Sequence, residues 1–85
     1  PLSRAAGNGH IDIVKLLLDA GADKDEGYGY YSPLSLAAAS AHIDIVKLLL
    51  DAKVDKDKDS PLAKAAIGGH FDIVDLLIKA GADIN

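Results

Sequence analysis

Along residues 11–20, 43–52 and 71–80 the polar positions fall at 12, 15 and 19, at 44, 47 and 51, and at 72, 75 and 79, with apolar residues almost everywhere between. A spacing of i, i+3, i+7 predicts a helix with one narrow solvated stripe in each segment. The remaining face, carried in the first segment by Ile13, Val14, Leu16, Leu17 and Leu18, is too wide for one partner helix to cover. It must be shared among neighbours, as happens when repeated units stack. Asp12, Asp44 and Asp72 stand in the first turn of these helices, where the helix dipole favours an anion by roughly 0.3 to 1 kcal/mol. Gly21 and Gly81 mark the ends of the first and third.

Each of these helices follows a shorter one. Ser32-Pro33-Leu34 and Ser60-Pro61-Leu62 read as helix starts, because a serine oxygen can accept from an orphan N–H while proline fits the first turn. The short helices run through Ala5-Ala6, Ala37-Ala38 and Ala65-Ala66, and end near Gly7-Asn8-Gly9, Ser40-Ala41 and Gly68-Gly69. Asn8-Gly9 alone would suggest a β-hairpin, but no alternating strands flank it, so a helix–helix turn fits better.

Residues 1–25, 33–57 and 61–85 are thus three blocks of 25 residues with one pattern and no internal gaps. All length variation lies in the connectors, seven residues at 26–32 and three at 58–60, giving periods of 32 and 28. Pro-Leu, Ala-Ala, Gly-His, Ile-Val-x-Leu-Leu and Gly-Ala-Asp-x-Asn, in this order and spacing, resemble the ankyrin repeat, usually about 33 residues long. The resemblance covers essentially the whole chain, with repeats at approximately 1–31, 32–59 and 60–85. It implies an all-α solenoid, one domain over residues 1–85, built of three stacked helix-turn-helix units joined by hairpin-like connectors. It also implies a concave face of connectors and first helices that binds other proteins.

Departures from the family pattern carry the chain's individuality. Ser3, Ser35 and Ala63 replace the histidine expected after Pro-Leu. The middle block puts Ala41 and Lys53 where the others have turn glycines; if those positions keep φ > 0, each costs about 1 kcal/mol and the block is locally weaker. The connector at 58–60 is too short for a projecting hairpin, which leaves two readings, a deletion or a loop missing from the sequence.

With 49% apolar residues and no apolar run near the roughly 20 needed to cross a bilayer, a non-membrane, cytoplasmic protein is expected. Zero cysteines exclude a disulfide framework, a thiol nucleophile and a thiolate metal site. A net charge of −4, with nine basic residues scattered among acids, argues against nucleic acid as a partner. The chain starts inside a motif, at Pro1, and reads as trimmed or excised.

Candidate chemistry is sparse. His10, His42 and His70 repeat one position, too far apart across stacked units for a zinc ion, and read as structural. Asp55, Asp57 and Asp59 look like the start of a calcium loop, but its glycine is Ser60 and its glutamate is Ala66. Gly7-Asn8-Gly9-His10 follows a helix instead of a strand, and no nucleophile motif occurs. The expectation is a non-catalytic protein-protein interaction scaffold without cofactors, a monomer or part of a longer repeat array. The second reading is a structural segment of a larger protein with no partner of its own.

On the binding reading, all three tyrosines, Tyr28, Tyr30 and Tyr31, cluster in the first connector, where they offer stiff contact area with polar tips. The helix ends beside them contribute Arg4 and Asn8, then Ser35, Ala39 and Ser40, then Lys64 and Ile67, the places where the blocks differ most.

Overall fold

The computed structural model describes residues 2–25 and 31–84. Its helices are α1 (Leu2–Gly7), α2 (Ile11–Asp19), α3 (Pro33–Ala39), α4 (Ile43–Asp51), α5 (Pro61–Ile67) and α6 (Phe71–Lys79). The three short helices stack side by side in one layer and the three longer ones in a second. Alanine explains the first layer: Ala6, Ala37, Ala38 and Ala65 are wholly buried, and their small side chains let the short helices approach closely. The second layer supplies the bulk of the core through Val14, Ile45, Val46, Leu49, Ile73 and Leu77.

All six helices close with one device. After α2 the Ala22 amide donates to the Leu17 carbonyl and the Gly21 amide to that of Leu18, at 3.0 and 3.1 Å; the same pair of bonds follows each of the other helices. This Schellman turn requires a left-handed residue after the cap, and the requirement is met regardless of side chain. Gly9, Gly21, Gly69 and Gly81 occupy it with φ of 73 to 91°, while Ala41 and Lys53 occupy it at 63 and 65°. The middle block therefore keeps the backbone of its neighbours and bears the strain that its missing glycines predict.

The glycine positions differ in a second respect. A Cβ added at Gly9 would lie 2.8 Å from Cε1 of His42, whereas one added at Gly21 would meet nothing within 4 Å. Gly9→Ala is expected to destabilise the chain by more than the roughly 1 kcal/mol that left-handed strain alone accounts for at Gly21→Ala. Urea unfolding of the two variants checks this, and equal losses would show that the His42 ring moves aside freely.

Ser32 starts α3 as expected, its Oγ accepting the Ser35 amide at 3.2 Å. Ser60 departs from the expectation: it is left-handed, with φ 50° and ψ 65°, and makes no side-chain cap. The cause is the short connector, which must reverse the chain within residues 58–60 and drives Asp59, φ 58°, into the same region. It forms a tight turn in place of the hairpin-like finger. The turn is pinned from outside, by the Ser32 hydroxyl donating to the Lys58 carbonyl at 3.2 Å and Lys58 Nζ donating to the Asp25 carbonyl at 2.7 Å.

Aspartates tie the units together along this edge. Asp25 Oδ1 accepts the Asp55 amide and Asp57 Oδ1 accepts the Asp83 amide, both at 2.8 Å. Within units, Asp23 and Asp55 accept the amides of Asp25 and Asp57 at 3.0 Å. The acidic run that mimics a calcium loop is thus partly a set of acceptors for backbone donors.

Candidate partner-binding face

Corresponding positions of the short helices line up across the stack as three rows: Arg4, Leu36 and Lys64; Gly7, Ala39 and Ile67; Asn8, Ser40 and Gly68. Between α1 and α3 these rows form a groove of about 460 Å³ lined by Ser3, Arg4, Gly7, Asn8, Leu36 and Ser40. Three residues singled out in the sequence, Arg4, Asn8 and Ser40, meet there, all exposed. Their polar groups surround an apolar floor, Leu36, which packs 3.4 Å from where a Gly7 Cβ would stand.

A second patch lies on α5. Ile67 is 87% exposed, more than Phe71 at 78% or Leu16 at 68%. One turn earlier, Lys64 places its ammonium 4.8 Å from the centroid of the Tyr31 ring, a cation–π pairing that holds this exposed ring against the stack. The Lys64 ammonium also donates to the Asp59 carbonyl, so it braces both connectors. Tyr28 and Tyr30 lie outside the described residues.

Two of the expected contacts have other work. Ser35 is wholly buried, its hydroxyl donating to the Ser32 carbonyl at 3.1 Å, and it presents no surface to a partner. Ala39 is half-buried, and its carbonyl accepts from His70 Nε2 at 3.1 Å. His42 Nε2 donates in the same way to the Gly7 carbonyl at 3.2 Å. A carbonyl can only accept, so both rings carry the proton on Nε2, and each histidine joins one unit to the unit before it. Leu36 is the surface residue that the block comparison overlooks; its signal is present, since one position reads Arg4, Leu36, Lys64 across the blocks.

Equivalent helix pairs stacked in two layers, closed by repeated turns and cross-linked by histidine, define a helical-repeat solenoid. Such a protein works through the surface its stack displays. The family model described as Ankyrin repeats (3 copies) matches residues 2–85, and the chain belongs to the ankyrin-repeat family. No curated protein matches it. Ankyrin repeats generally mediate protein–protein interactions and are typically non-catalytic. Among the described residues, no helix is long and apolar enough to cross a membrane.

Proposed function

We propose that the chain is a non-catalytic protein-binding module that engages a protein partner through the short-helix face and the tyrosine-bearing first connector. The observation that carries this reading is where the blocks differ. Positions that pack are matched across blocks, as with the alanine pairs, whereas the three surface rows change residue type from unit to unit. A surface maintained only for solubility has no need of an exposed Ile67 one helical turn from the lysine that braces Tyr31. Stacked units hold these groups in fixed relation, so a partner would dock with little ordering entropy to lose. A face of three units offers about 800 Å² to one side of an interface of standard size.

The test is affinity capture followed by comparison of variants. Proteins retained by the parent chain should be lost when Tyr28 and Tyr30 are changed together to Ala, and separately when Ile67→Asp is introduced. Circular dichroism should be unchanged in both. A retained set that is indifferent to both changes would remove this face from consideration.

A further inference from the structure

Charge is divided unevenly between the two helical layers. Of the thirteen acidic residues none stands on a short helix, whereas α1 carries Arg4 and α5 carries Lys64. The connector acids are turned to other partners, the carboxylates of Asp23, Asp25, Asp55 and Asp57 each accepting a backbone amide. Among the described residues Lys64 meets neutral groups alone, the Tyr31 ring and the Asp59 carbonyl, which leave its charge uncancelled. A chain of net charge −4 thus shows a cationic row on its short-helix face, interrupted at the middle unit by the apolar Leu36. The row runs along the stack, so a further unit on either side would lengthen it and leave it open.

Spacing selects what fits this row. Packed helices lie about 8 to 10 Å apart, and Arg4, Leu36 and Lys64 advance by one helix at each step. A β-strand shows the same side every second residue, about 6.6 Å, and falls out of step with the stack. A polyproline II segment turns once in three residues, so the same side returns every 9 Å or so, about the spacing of the helices. We infer that the face takes an acidic polyproline II segment of a partner protein. An apolar side chain of that segment sits over Leu36, in the groove between α1 and α3. Carboxylates three residues away on either side meet Arg4 and Lys64. The inference rests on the proposed role of the short-helix face and adds the chemistry of what that face receives. Such a segment is ordered before it docks, so little entropy is lost. Opposite charges at its two ends set the register.

The probe is a fluorescein-labelled peptide, Pro-Asp-Pro-Pro-Leu-Pro-Pro-Asp-Pro, titrated with the full chain and followed by fluorescence anisotropy. It should bind about tenfold more tightly than the same peptide with lysine at both aspartate positions, and added salt should narrow the difference. Deleting one proline on each side of the leucine keeps the charges, breaks the period and should weaken binding to a similar degree. Arg4→Glu should lose affinity for the original peptide and prefer one in which a single aspartate is lysine. Equal binding of the aspartate and lysine peptides would overturn the inference. So would equal binding of the shortened peptide, which would mean a general affinity for anions. The peptide comparisons decide on the parent chain alone if circular dichroism shows Arg4→Glu to be unfolded. If no peptide binds while captured proteins still depend on Ile67, this inference falls and the docking face stands; captured proteins indifferent to Ile67 would remove the face itself.

Discussion

Leu49→Ala should cost about 2 to 5 kcal/mol of stability, as deletion of a buried leucine in an unyielding core does. Leu49 is wholly buried near the end of α4, in the unit that has a neighbour on both sides. It is also the anchor of the Schellman turn after α4: its carbonyl accepts the Val54 amide at 3.4 Å, and Val54 is buried. A domain of this size holds on the order of 5 to 10 kcal/mol in total, so the loss would remove a large share of its stability. Leu17 is the same position in the first block and is only half-buried; Leu17→Ala should cost distinctly less. Urea melts of both variants followed by circular dichroism decide the matter. A loss at Leu49 no larger than that at Leu17 would mean the middle unit is not the keystone of the stack.

The opposite change is available in the same unit. Ala41→Gly combined with Lys53→Gly should raise stability by about 2 kcal/mol, one for each left-handed residue relieved. Some of that gain is offset by the greater freedom glycine has in the unfolded chain. Ala41 holds the position of Gly9, where an added Cβ would meet the His42 ring at 2.8 Å. His70 takes the corresponding bond, to Ala39, at 3.1 Å, and Ala41 itself is exposed, so the gain expected on removing its side chain is relief of backbone strain. The two substitutions are separated by α4 and should add. A thermal midpoint higher by several degrees in the double variant is the expected reading, and an unchanged midpoint would show that the middle turns adapt without cost.

The second prediction rests on features legible in the amino-acid order alone, Ala41 and Lys53 standing where the other blocks have glycine, because repetition turns three weak local signals into one strong one. The helices, the left-handed turns at Ala41 and Lys53 and the structural role of His42 and His70 all follow from comparing equivalent positions. Repetition is silent where positions stop being equivalent. Ser60 has the same sequence context as Ser32, Ser-Pro-Leu, yet it does not cap its helix, because the length of the connector before it sets its backbone. Ser35 resembles a surface residue through its difference from Ala63, but its hydroxyl turns inward to the Ser32 carbonyl. Lys64 against Tyr31 pairs residues from different units, and no pattern within one unit encodes it.

The turn at 58–60 also bears on how the chain could be altered. Two successive residues there, Asp59 and Ser60, sit in a region that L-amino acids enter reluctantly, only because three residues must do the work of a longer loop. Added length at that point would relax the backbone, since closing a somewhat longer loop costs little entropy. A peptide grafted between Asp59 and Ser60 would emerge beside Lys64, whose ammonium donates to the Asp59 carbonyl, at the start of α5, making this turn a natural port for installing new binding specificity.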